Sequence, residues 1–293
     1  MNYLKKVEES IKFTWKYKTL WIFGAIVSIF GGGGFFNSPG NFSSDQNSQV
    51  ADKVEEISES PTAIVLIIVF SIIALILAVI GWYLNSVAKA ALINSVKVDA
   101  AGGRPTFKEG WKFGRTLALR IMWMDVIGFG ISLTIIIPIL LVVILGILFP
   151  PFFILFCLLI PLVILLGVLW VIVYTGALRY LVLKDLSAWD SLVSGWNLAK
   201  STIVEYIVGG LVSLLTGCIW AVVLIPLAII SVIFFILLVA MTLLINPILA
   251  VLILIIGLLL GVLAMALVNA PYAVFTNTYW TKVVMTLMEK FEK

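Results

Sequence analysis

Few residues in this 293-residue chain belong to types that could do chemistry, and their spacing points to binding more than to bond-making. There is no histidine, which removes the commonest general base and metal ligand together. Cys157 and Cys218 each sit in an apolar run without zinc-like spacing. They form either a thiol site or two inert buried side chains. No catalytic residue, metal site or cofactor is expected. Asp125 and Glu205, with Arg120 and Arg179 in reach, make a candidate charge network near the ends of the apolar segments. It would act either as a proton or cation relay or as plain interfacial salt bridging.

Two further groups could bind rather than react. The segment VNAPYAVFTNTYW carries Asn269, Tyr272, Asn277 and Tyr279 around Pro271, and Asn85 offers a milder counterpart earlier in the chain. Proline frees a carbonyl one turn before it, so these polar groups could hold a solute; equally, polar groups collect wherever a helix leaves a bilayer. Lys108, Trp111, Lys112 and Arg115 combine cations with an aromatic. They would either recognise anionic lipid headgroups or simply anchor a helix at the interface. The aromatics are needed by a membrane, which argues against a nucleic-acid partner.

The elements that must position these residues follow from composition. Hydrophobic residues make up 62% of the chain, only 12% are charged, and the mean hydropathy is +1.19. A soluble domain carries roughly twice that charged fraction. Several apolar runs exceed the ~20 residues that cross ~30 Å of hydrocarbon. Spans are expected near residues 19–36, 62–85, 126–148, 152–175, 206–226 and 247–268. Residues 227–246 are left over, as a re-entrant turn, an interfacial turn or over-long helix ends.

Charge orients the spans. Residues 36–61 hold one lysine against five acids, a net of −4; the rest of the chain holds eighteen cations against ten acids, a net of +8. Positive-inside logic puts both termini and the basic clusters in the cytoplasm and the acidic loop outside. The loop, residues 37–61, is rich in Ser, Asn and Asp and is expected to be disordered. The lysine-rich start reads as an uncleaved signal anchor.

A threefold internal repeat fits this topology. Glu9, Lys12 and Phe13 align with Glu109, Lys112 and Phe113, while Ser187, Asp190 and Gly195 align with Thr106, Glu109 and Gly114. Thr106-x-x-Glu109 is a capping box, and Ser187-x-x-Asp190 is its near relative, so each should start a helix. The expectation is an all-α, polytopic membrane bundle of six spans. Three hairpins repeat over about 1–100, 101–185 and 186–293, each led by a cytoplasmic amphipathic helix. Trp82, Tyr83, Tyr174, Tyr279 and Trp280 fall where an interfacial belt is expected.

The order LWIFGAI, Gly-rich exit, outer loop, TFKEGW and APYAVFTNTYW resembles a six-span membrane domain. That domain is attached to some glycerophosphodiester phosphodiesterases and also stands alone in prokaryotic membrane proteins of unknown function. The resemblance implies a prokaryotic plasma membrane and helical hairpins, and it implies no catalysis, because the phosphodiesterase activity belongs to a separate soluble barrel. The expected role is non-enzymatic and lipid-interacting or membrane-organising, with membrane lipids and other membrane proteins as partners. The alternative is a transporter or channel for a small neutral or amphipathic solute.

Overall fold

A computed structural model describes residues 1–31, 61–148 and 153–291. The described residues are helical almost throughout, with no strand among them. The order is α1 (Tyr3–Lys16), a 3₁₀ turn (Lys18–Leu20), α2 (Trp21–Phe30), α3 (Pro61–Ala100), α4 (Phe107–Leu148), α5 (Phe153–Lys184), α6 (Ala188–Ser201), α7 (Ile203–Ile245) and α8 (Pro247–Phe291). Five of these, α3, α4, α5, α7 and α8, are long and apolar enough to cross a membrane. Among the described residues, the expected first span is represented by the 3₁₀ turn of three residues and α2 of ten, which together fall short of that length. The acidic loop, apart from Pro61, lies outside the described residues.

The helix starts follow the local sequence. Thr106 Oγ1 accepts from the Glu109 amide at 3.3 Å and donates to the Glu109 carboxylate at 2.9 Å. Ser187 repeats the pattern with Asp190, at 3.2 and 2.7 Å. Each pair satisfies donors that a helix N-terminus leaves open. We expect Ser187→Ala to cost about 1 kcal/mol, read as a lower Tm in detergent with the helical content unchanged.

One element differs from expectation, and one open alternative is decided. The lead-in helix of the middle unit is not separate: α4 runs unbroken from Phe107 through the span. No glycine-proline pair or cap interrupts residues 107–148, so the amphipathic turn and the apolar run share one axis. Of the three readings for residues 227–246, the structure takes the over-long helix end rather than a re-entrant or an interfacial turn for residues 227–245. They continue α7, which passes through Pro226 to Ile245. At ~1.5 Å per residue, the 40–45 residues of α3, α4, α7 and α8 make rods of about 60–68 Å, twice the ~30 Å hydrocarbon thickness.

The core sits at one end of these rods. Three clusters of buried side chains build it. One joins α1, the 3₁₀ turn, α2, α3 and α8 around Phe13, Phe23 and Leu92. A second joins α3, α4, α5 and α6 around Ile93, Ile121 and Leu181. The third joins α5, α6, α7 and α8 around Leu198, Tyr206 and Tyr279. Helices α3, α5 and α8 touch one another and take part in two clusters each, so they are the inner helices. The amphipathic pieces dock on them in turn: the start of α4 on α3, α6 on α5, and α1 on α8.

Small residues make this approach possible. A Cβ at Gly114 would collide with the Val87 carbonyl, and one at Gly195 would lie 2.7 Å from the Val173 carbonyl and the Ala177 amide nitrogen. Beyond the packed end, the apolar faces of α3, α4, α5, α7 and α8 are exposed on nearly every side, from Phe70 and Phe129 to Phe234 and Leu259. Water cannot cover that much aliphatic surface without a large free-energy cost. Hydrocarbon can.

Candidate functional site

A polar layer lies where α3, α4, α5 and α7 meet. On α4, Asp125 accepts a hydrogen bond from Trp82 Nε1 of α3 at 2.8 Å and another from the Tyr174 hydroxyl of α5. Two turns after Trp82, on the same face of α3, Lys89 places its ammonium 6.0 Å from the Tyr174 ring centroid and within the field of Asp125. Arg179, five residues beyond Tyr174 on α5, is 5% exposed. It donates to the Thr175 carbonyl at 3.1 Å, and its Nε has no acceptor. The Tyr206 hydroxyl of α7 is likewise buried without a partner, in a notch that exists because residue 176 is glycine.

Two more buried atoms on the inner helices lack partners: Asn85 Oδ1 on α3 and Thr278 Oγ1 on α8. Each such group costs about 1–3 kcal/mol, so four near one packed end require an explanation.

The predicted charge network separates into three parts. Arg120 pairs with Asp185 at 2.7 Å at an exposed edge, where Asp185 adopts a left-handed φ of 55° at the end of α5. Glu205 pairs with Lys290 at 2.7 Å, and Tyr3 donates to the Glu205 backbone carbonyl. Only Asp125 and Arg179 share the buried layer, and each takes other partners there. The predicted solute group is spent mainly on packing α8. Asn269 accepts from Trp220 Nε1 at 3.3 Å, Tyr272 stacks on Trp220 at 5.8 Å, and the Tyr279 hydroxyl donates to the Gly209 carbonyl at 3.0 Å. Asn277 donates to its own helix at the Ala273 carbonyl. Asn85 stands apart from them on α3.

The headgroup candidates divide by face. Trp111 turns inward and stacks with Phe23 and Phe107. Lys108, Lys112 and Arg115 are exposed and share one face at i, i+4 and i+7. That face continues as Leu119, Trp123, Val126 and Phe129, all exposed. One outward stripe of α4 thus passes from cation to tryptophan to aliphatic. Helix α6 shows Trp189, Val193 and Trp196 outward in the same spacing, and α1 shows Leu4, Ile11 and Trp15.

Two clefts accompany these surfaces. One, about 270 Å³, lies between α1, α3 and α8 and is lined by Lys6, Glu9, Asp99, Lys282 and Glu289. Inside it, Lys282 reaches Glu9 at 3.5 Å. The other, about 510 Å³, runs beside the Arg120–Asp185 pair under Leu119 and Trp123. Nearby on α1, the Lys12 ammonium hydrogen-bonds Glu8 and holds its carboxyl below the usual range; hydrogen bonds to Tyr17 and Asp99 raise Lys16. Among the described residues, no group of three or more metal-ligating side chains is assembled.

Sequence reasoning missed Lys89, Tyr206 and the outward tryptophans Trp123, Trp189 and Trp196. Lys89 carried a signal, being a cation inside a long helical run. Trp82 and Tyr174 were legible as belt aromatics, but the carboxylate that joins them required the fold.

The packed end and its apolar extensions define a class: a helical protein with five helices of membrane-crossing length among the described residues, consistent with a membrane protein. Compared with protein-family models, curated proteins and solved structures, the chain matches none.

Proposed function

We propose that this chain is a non-enzymatic integral membrane protein of the prokaryotic plasma membrane, and that it binds and organises lipid at the cytoplasmic interface. The observation that carries this reading is the outward stripe of α4, where Lys108, Lys112 and Arg115 give way to Leu119, Trp123 and Phe129 along one face. From Arg115 to Trp123 is eight residues, or about 12 Å along the axis, close to the depth between a headgroup and the start of the acyl chains. Cations there attract anionic headgroups, and tryptophan settles at the boundary.

The reading extends to topology: six spans in three repeated hairpins, with both termini cytoplasmic. Its support is the cyclic docking of α4 on α3, α6 on α5 and α1 on α8, together with the matching collisions at Gly114 and Gly195. The resemblance to the six-span membrane domain of certain phosphodiesterases belongs to the same proposal.

Energy transfer from α4 to labelled lipid in proteoliposomes tests it. Replacing Lys108, Lys112 and Arg115 together by glutamine is expected to lower the preference for an anionic over a zwitterionic probe about tenfold, since each cation contributes up to ~1 kcal/mol before screening. An unchanged preference would remove the proposal's main support.

A transporter or channel for a small neutral or amphipathic solute is the second reading, favoured by the unpartnered polar atoms between the inner helices. Solute-dependent swelling of proteoliposomes that disappears on substitution of Asn85 would favour it; swelling equal to that of empty vesicles would count against it.

A further inference from the structure

The charges in the buried layer do not balance. Lys89 has Asp125 as its counter-charge, and Asp125 also takes the Trp82 and Tyr174 hydrogen bonds. Arg179, though buried to 5% exposure, has no such partner among the described residues. Arg179 donates to the Thr175 carbonyl and lies in the field of the Tyr206 and Tyr174 phenols, and among the described residues it makes no salt bridge with a carboxylate. A guanidinium out of water without an anion is among the costliest arrangements a protein can hold. Arginine is also the side chain whose planar fork matches carboxylate and phosphate oxygens.

The neighbours have the complementary chemistry. Arg179 Nε is an unused donor, and the Tyr206 hydroxyl is a second one. Gly176, one turn before Arg179, keeps that hydroxyl in place: a Cβ there would lie 2.8 Å from it. Lys89 adds a second positive field from α3. Two idle donors beside an excess cation are what an oxyanion would satisfy.

We propose that Arg179, Tyr206 and Lys89 form a buried site for an oxyanion, either a free phosphate or carboxylate or the phosphate of a lipid headgroup. The site is distinct from the outward stripe of α4 and does not depend on it. Arg179 supplies the charge-assisted hydrogen bond, Tyr206 donates from α7, and the bound anion ties α3, α5 and α7 together.

The test uses the full chain purified in a neutral detergent and stripped of lipid. Tm is followed against sodium phosphate and sodium acetate at constant ionic strength with chloride, and separately against a short-chain phosphatidylglycerol. The wild type is expected to gain Tm in a saturable way with at least one oxyanion and not with chloride. A response to the free anions identifies a small solute, and a response confined to the lipid identifies a headgroup. Arg179→Met should abolish the response. Tyr206→Phe and Gly176→Ala, which keep the charge, should weaken the apparent affinity about tenfold. Because Arg179→Met also removes an unpaired buried charge, it should melt no lower than the anion-free wild type, so a folding defect is recognisable. Should it nonetheless fail to fold, the Tyr206→Phe titration decides. A wild type indifferent to every oxyanion, or responses equal in wild type, Arg179→Met and Tyr206→Phe, would overturn the proposal.

Discussion

Asp125→Ala is expected to lower stability by about 2–4 kcal/mol, because it leaves two inward donors without their acceptor. Trp82 Nε1 and the Tyr174 hydroxyl lose their acceptor at once, and the Lys89 ammonium loses the negative charge whose field it feels. They come from α3 and α5, so the loss falls on the junction of three helices rather than on one. Lys89 is only partly buried, which places the cost toward the lower figure. Asp125→Asn should cost less, because the amide still offers one oxygen to Trp82 or Tyr174 while the charge is gone. The double variant Asp125→Leu with Lys89→Met should recover much of the loss, since it removes both charges. Tm in a fixed detergent, with equal helicity before melting, measures all three. A double variant that is only the sum of two independent losses would show that Lys89 and Asp125 do not communicate.

Gly24→Ala, Gly114→Ala and Gly195→Ala should each cost about 1–3 kcal/mol through overpacking. At each site the new methyl would meet backbone rather than a side chain that could turn away: the Ala270 carbonyl, the Val87 carbonyl, and the Val173 carbonyl with the Ala177 amide. Gly24→Ala would press α2 off α8, Gly114→Ala would press α4 off α3, and Gly195→Ala would press α6 off α5. Gly130, with nothing within 4 Å of a Cβ, is the internal control. Gly130→Ala should be neutral or stabilise by up to about 1 kcal/mol, the helix-propensity gain. Melting the four variants side by side checks this, and a Gly130→Ala variant as damaged as Gly114→Ala would contradict the packing account.

How much of this could be read from the chain depends on which force decides each feature. Apolar length is written in the sequence, so the helical class and the long segments were legible from runs such as those around residues 206–245. Capping chemistry is local, so the starts at Thr106 and Ser187 were legible too. The continuity of α4 was not, because nothing between Thr116 and Asp125 marks whether an amphipathic turn and a span share an axis. Residues 227–245 were ambiguous for a related reason: Pro226 signals a break, yet a long apolar helix continues through it. Arg179 could be named from sequence as a charge, but not as an unpaired one. Glu205, one of the two acids expected in the same network, faces Lys290 at the far end of α8, a pairing of residues 85 positions apart that no local pattern encodes. The outward tryptophans escaped because aromatic residues on an amphipathic helix look alike until packing assigns Phe13 and Trp111 to the core and Trp15, Trp123 and Trp189 to the surface.

Native mass spectrometry of the full chain released from its own membrane in a neutral detergent tests the central claim most directly. The account predicts anionic phospholipid retained at defined stoichiometry, and less of it after Lys108, Lys112 and Arg115 are changed together to glutamine. Release with no anionic lipid, or the same retention by the wild type and the triple variant, would contradict a lipid-binding role for this surface.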